Sequence, residues 1–95
     1  MRRIIWSGPA QRDLLAIASY FDQIAPDLGS TMLERIERAP LPLLDFPDLG
    51  EVMARRNTRK WVVRKTPFLL IYGVAAEDIE IKRVRHERED WRPLA

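Results

Sequence analysis

Apolar positions along this 95-residue chain repeat with two periods, and the change of period divides it into elements. Ala10, Leu14, Ile17, Phe21 and Ile24 fall at spacings of four, three, four and three, which is one stripe of an amphipathic helix. Gln11, Asp13, Ser19, Asp22 and Gln23 lie mostly off that stripe. Ahead of it, Ser7-Gly8-Pro9 supplies a cap residue and a proline for the first turn. Pro26-Asp27 interrupts the pattern, and a second stripe follows at Leu28, Met32, Ile36 and Ala39, with Asp27 or Ser30 as its cap. A link so short predicts an antiparallel helical hairpin. Pro40 and Pro42 then stand where the second helix would continue. An interior proline removes a hydrogen bond and clashes with the preceding turn, at about 3 kcal/mol. The helix is therefore predicted to end or kink near Ala39, with an irregular apolar segment reaching Phe46.

The rest of the chain reads as strands. Arg2 to Trp6 is a short β-branched and aromatic run ending at a turn signal. After the turn Pro47-Asp48-Leu49-Gly50, residues 51–58 are polar with little periodicity and read as a loop. Arg59 to Arg64, around Trp61-Val62-Val63, is a strand with cationic ends. Phe68 to Val74 is almost wholly apolar, as a central strand covered on both faces would be. In the last strand the alternation begins as Ile79/Ile81 and resumes as Val84/His86, a parity shift that predicts a bulge near Lys82-Arg83. The order β-α-α-β-β-β gives an α+β fold in which a helical hairpin packs on a small, mainly antiparallel sheet. One domain spanning residues 1–95 is expected. Leu14, Ile17, Phe21, Met32, Ile36, Leu70 and Val74 should be buried between helices and sheet.

Charge changes this picture more than composition does. The net charge is only +2, yet residues 1–50 carry five basic and seven acidic side chains while 51–95 carry eleven and seven. Between Val52 and Pro67 there are six cations (Arg55, Arg56, Arg59, Lys60, Arg64 and Lys65) and no anion. Arginine outnumbers lysine thirteen to three, which suits planar contacts to carboxylate or phosphate. An acidic protein surface or a nucleic acid fits such a stretch; so does a strand edge that uses cations to resist aggregation. The chain has no cysteine, which excludes disulfides and thiolate chemistry. The apolar start is broken by Ser7-Gly8-Pro9 before a signal-peptide core forms, and no apolar run approaches bilayer length. A cytoplasmic protein without metal or cofactor is expected.

Candidate chemistry is sparse. There is no phosphate-binding glycine loop, nucleophile elbow or paired metal-ligand motif, and His86 is the single histidine. His86 can serve as a general acid or base, with Arg59, Arg64 or Arg85 neutralising a phosphate in the transition state. Glu51 is a possible base if its loop folds over the sheet. The plainer role for His86 is structural, packed near Trp91 or hydrogen-bonded to backbone. Trp6 and Trp61 belong to strands and read as packing in or beside the core, whereas Trp91 lies in a polar tail, where it pins that tail or anchors a partner.

The order and spacing of several weak motifs resemble one family. These are Trp6-Ser7 before the first helix, Ala10 with Asp13-Leu14 and Ile17, and Tyr20-Phe21 a turn on. Further along come Ile36, Phe46-Pro47-Asp48-Leu49-Gly50 and Arg59. The pattern ends with Phe68 to Tyr72-Gly73-Val74 and with Ile79-Glu80-Ile81 running into Val84-Arg85-His86. Together they resemble the ParE/RelE superfamily of type II toxin–antitoxin toxins, on its ParE side, over roughly residues 4–92. The resemblance implies a bacterial toxin held inactive by a cognate antitoxin, of ribbon-helix-helix type, with DNA gyrase as the target. It also implies alternatives: a RelE-like nuclease cutting ribosome-bound mRNA, for which Arg59, Arg64 and His86 would stand in the catalytic positions, or a fold relative without toxicity. The lysine cluster of RelE-like enzymes is absent, and His86-Glu87-Arg88 fits the non-enzymatic branch. Arg55, Arg56, Arg59, Arg64, Arg85, Arg88 and Trp91 are the candidates for contact with antitoxin or target.

Overall fold

The computed structural model describes residues 1–88. β1 (Ile4–Trp6) leads into α1 (Gly8–Ile24) and α2 (Pro26–Arg38). A 3-10 turn (Leu41–Leu44) follows, then β2 (Glu51–Val52), β3 (Arg59–Val62), β4 (Phe68–Ala75) and β5 (Asp78–His86). The strands form one mixed sheet in the order β1-β5-β4-β3-β2. Among the described strands only β1, beside β5, is parallel to its neighbour.

The helical hairpin packs on one face of this sheet. Ser7 caps α1, its Oγ accepting the Ala10 N–H at 3.2 Å, and Pro9 occupies the first turn. α2 starts differently from the expected Asp27 or Ser30 cap. Its cap position is Ala25, at φ −165° and ψ 75°, with no side-chain bond. Pro26 has no N–H to satisfy, which lowers the need for a capping acceptor. The helices meet closely at Gly29, where a Cβ would lie 2.6 Å from the Phe21 Cβ. α2 ends at Arg38, as the prolines require, and the apolar segment beyond it winds into the 3-10 turn that buries Leu43 completely. The Trp61 indole N–H donates to the Ala39 carbonyl at 2.7 Å, satisfying an acceptor that the helix end leaves open.

Between hairpin and sheet lie Phe21, Met32, Ile36, Leu70, Tyr72, Ile79, Ile81 and Val84, all buried. Leu14, Ile17 and Val74 are half-buried and pack against this cluster rather than within it. The expected bulge is present: Ile71 pairs with Arg83 but Tyr72 pairs with Ile81, so Lys82 is the extra residue. One strand is new. Residues 51–58 are not a continuous loop, because Glu51 and Val52 pair with Lys60 and Arg59. Two residues are too few to show a period, and the pairing is held by the Met53 N–H to Thr58 carbonyl bond and the Glu51–Lys60 ion pair, each at 3.0 Å.

β1 is three residues long and β5 nine, so the outer edge of β5 continues past its partner. An open edge exposes backbone groups that need partners. The start of α1 provides them. The Ser7 N–H donates to the Ile81 carbonyl and the Ser7 hydroxyl to the Lys82 carbonyl, both at 3.0 Å. Asp13 accepts the Val84 N–H at 2.9 Å and is gripped by the Arg83 guanidinium at 2.8 and 2.9 Å. Burial pushes the Asp13 carboxyl up, but the bonds from Arg83 and Val84 outweigh it and hold the carboxyl below its usual range. A folded-state pKa below the unfolded one adds stability in full above the ordinary aspartate value, about 3.9, and loses it as pH falls through the lowered value. Asp13→Asn should therefore cost about 1–3 kcal/mol at pH 7, with the gap to wild type narrowing below about pH 4. Urea titrations of both proteins at pH 7 and pH 3 check this.

Candidate functional site

The corner where β2, β3 and β4 meet is held by two side chains from the sheet. The Tyr72 hydroxyl accepts the Gly50 N–H at 2.9 Å and donates to the Pro47 carbonyl at 2.7 Å. Burial pushes the phenol pKa up, keeping the proton that this second bond requires. Arg59 donates to the Asp48 and Gly50 carbonyls at 2.9 and 2.8 Å and lies 3.6 Å from the Asp48 carboxylate. Gly50 is needed for this fit, since a Cβ there would stand 2.5 Å from the Tyr72 ring. The turn 47–50 is thus fastened through its backbone, and Arg59 spends its donors on it.

Among the described residues, two of the grooves border the hairpin. The larger, about 560 Å³, is lined by Tyr20, Ile24, Leu28, Met32, Phe68 and His86 among others. It is almost wholly apolar, because the helical stripes run past the core. Ile24 at 60% and Leu28 at 46% exposure are stripe members that the sheet does not reach. The second groove, about 370 Å³, lies between α2 and β3 over Ala39, Trp61 and Val63, with Arg35, Arg38 and Arg64 on its rim beside Glu34. β2 pairs only with Arg59 and Lys60. Along this groove, therefore, the outer edge of β3 at Trp61 and Val62 has no strand beside it among the described residues.

The predicted site residues separate between these features. Arg55 and Arg56 are exposed in the loop between β2 and β3, and Arg59 is the half-buried latch. Arg64 belongs to the second groove. Arg85 is opposite Leu69 on β5, and Arg88 is exposed just beyond that strand. Glu51 does not fold over the sheet; it stays on β2 in its ion pair with Lys60. Trp91 lies outside the described residues. His86 sits in the first groove, its ring edge-on to Phe68 with centroids 5.6 Å apart, and its Nδ1 accepts the Arg88 N–H at 3.1 Å. Arg59 and His86 flank β4 at Tyr72 and Phe68, four residues apart along that strand, which is about 13 Å of extended chain. Arg64 and His86 line different grooves.

Residues 4–91 match the family described as "ParE toxin of type II toxin-antitoxin system, parDE". The chain belongs to this family. Among curated relatives, Toxin RelE2 of Caulobacter vibrioides is 33% identical over 86 residues, covering 90% of this chain and 96% of the relative. A chain from the chromosomal ParDE system of P. aeruginosa shares the fold with a TM-score of 0.81 at 21% identity, over 90% of this chain and 96% of that one. The isolated E. coli RelE toxin shares it at 0.65 and 18%, over 95% and 89%. This ParE-family chain is a type II toxin–antitoxin toxin of the ParE/RelE superfamily, and two helices on a five-strand mixed sheet are the fold of its neighbours.

In this ParE-family toxin the residues that reading the sequence missed are those acting through single polar atoms: Asp13, the Tyr72 hydroxyl and the Trp61 N–H. The apolar groove did have a signal, since its residues continue both helical stripes beyond the length of the strands. Removing the Tyr72 hydroxyl leaves the Gly50 N–H and Pro47 carbonyl unpaired. Tyr72→Phe should cost about 1–3 kcal/mol and raise proteolytic cleavage within residues 45–52. Thermal melting and limited proteolysis with mass mapping would register both.

Proposed function

We propose that this toxin acts as a binding protein that inhibits DNA gyrase, performing no bond cleavage of its own, and that a cognate antitoxin restrains it. The observation carrying this reading is the dispersal of the candidate catalytic groups. Arg59 is committed to the turn, Arg64 lines one groove and His86 the other. General acid–base catalysis needs its groups within about 3 Å of the atoms that exchange protons, and phosphate stabilisation needs cations at the same bond. The match to the ParE family supports the same side of the superfamily.

The antitoxin fits the two grooves. An amphipathic helix or apolar anchor suits the larger one, and an acidic extended segment suits the arginine rim of the other. The solved neighbours include toxin–antitoxin complexes such as the E. coli RelBE pair, which supports an antitoxin partner here. Rim cations act mainly on association and register, so their effect depends on ionic strength.

In supercoiling assays the purified toxin should inhibit gyrase, and His86→Ala should retain that inhibition and growth arrest within about twofold. Loss of activity by about 10²–10⁴-fold on His86→Ala, together with cleaved ribosome-bound mRNA, would establish the nuclease instead. Arg38→Glu/Arg64→Glu should weaken the complex with the co-expressed antitoxin, more so at low than at high salt. Equal affinity across salt concentrations would remove the electrostatic part of the antitoxin reading.

A further inference from the structure

The segment that Tyr72 and Arg59 fasten has a second property. From Asp45 to Val52 an acid and an apolar residue recur as adjacent pairs every three positions: Asp45-Phe46, Asp48-Leu49 and Glu51-Val52. The three apolar members are exposed, Phe46 at 63%, Leu49 at 52% and Val52 at 68%. The backbone between them faces the protein. Pro47 and Gly50 are tied to the Tyr72 hydroxyl, and Asp48 and Gly50 to Arg59. The Phe46 N–H donates to the Pro42 carbonyl at 3.1 Å, and the Leu49 N–H to the Phe46 carbonyl at 3.2 Å. Fastening by main-chain atoms leaves Phe46, Leu49 and Val52 outside the core.

We infer that residues 45–52 form the surface by which the toxin engages its protein target. Phe46, Leu49 and Val52 would enter an apolar depression whose rim carries lysine and arginine. The inference rests on the proposal that the toxin works by binding a protein, and it assigns that work to a surface distinct from the grooves. Charge argues for the occupant. The Asp48 and Glu51 side chains are 85% and 70% exposed, while their ion-pair partners Arg59 and Lys60 are only 29% and 36% exposed. The carboxylates are therefore outermost, and they favour a basic protein rim and repel nucleic-acid phosphate. The groove between α2 and β3 has the opposite charge on its rim and calls for a partner of opposite chemistry. Rigidity argues the same way, because a turn already ordered loses little freedom on binding.

The surface also adjoins the antitoxin side. β2 pairs with the first half of β3, and the second half borders the arginine-rimmed groove. An antitoxin segment lying in that groove would abut residues 45–52 and obstruct them without occupying them.

The test uses Phe46→Ser/Leu49→Ser and, separately, Val52→Thr, with wild type beside them. Four properties are read: melting temperature, co-purification with the co-expressed antitoxin, inhibition of gyrase supercoiling, and growth arrest on induction. The double variant should need roughly tenfold or more protein for half-inhibition, the scale of losing buried anchor residues, while melting and antitoxin binding stay at wild-type values. Val52→Thr, which keeps the β-branched shape on β2, should show a smaller loss in the same direction. Inhibition within twofold of wild type overturns the inference, as does loss of antitoxin binding with target inhibition intact. If wild type leaves gyrase unaffected, the gyrase reading fails by itself, and growth arrest judges the surface. Arrest abolished in the double variant supports a different protein target, whereas arrest retained, or absent already in wild type, overturns the inference. If the double variant melts early, Val52→Thr and the charge reversal Asp45→Lys replace it, with reduced inhibition at unchanged melting still required.

Discussion

A strand that is apolar on both faces has to be covered twice, and β4 imposes that demand on the whole molecule. Phe68, Leu69, Leu70, Ile71 and Tyr72 are all buried in succession. Phe68, Leu70 and Tyr72 belong to the core under the helical hairpin. Leu69 and Ile71 face the other way, where no helix lies among the described residues. Their cross-strand neighbours are Val62 and Arg85, and Lys60 and Arg83. Long cationic side chains cover apolar surface with their methylene stems while keeping the charge in water. Farther along, Asn57 spans the edge of β4 with two bonds to Val74, and Lys82 reaches the Asn57 carbonyl at 3.0 Å. Lysine and arginine are thus the cross-strand neighbours of the second buried face among the described residues.

That arrangement changes the meaning of the positive charge. The cations from Arg55 to Lys65 look in the sequence like one basic surface, yet they divide among separate tasks. Arg59 fastens a turn, Lys60 pairs with Glu51 beside Ile71, and Arg64 rims a groove. A run of like charges along a strand points alternately to opposite faces, so adjacency in sequence is a poor guide to adjacency in space.

Much of the fold was legible because it depends on period. Both helical stripes, the end of α2 before Pro40, the doubly buried β4 and the shift of parity in β5 all follow from spacing that the sequence displays. What was not legible depends on single atoms or on very short pairing. Ala25 caps α2 because Pro26 needs no acceptor, and β2 is too short to show alternation. Tyr72 falls in the apolar run that reads as a central strand, but the two backbone groups that its hydroxyl joins lie more than twenty residues away. The site suffered most, since Arg59 offers the same donors to a carbonyl of its own chain as to a ligand.

The bulge at Lys82 reaches further than its local irregularity suggests. Ile79 and Ile81 face the hairpin, and strict alternation would next turn residues 83 and 85 toward it. The inserted residue resets the count, so Val84 enters the core and His86 closes the apolar groove beside Phe68. Pairing the same residues without the bulge would turn Arg83 and Arg85 toward the hairpin and His86 away from it. A one-residue irregularity of register thus decides which side chains of the final strand close the apolar groove, with no side chain replaced.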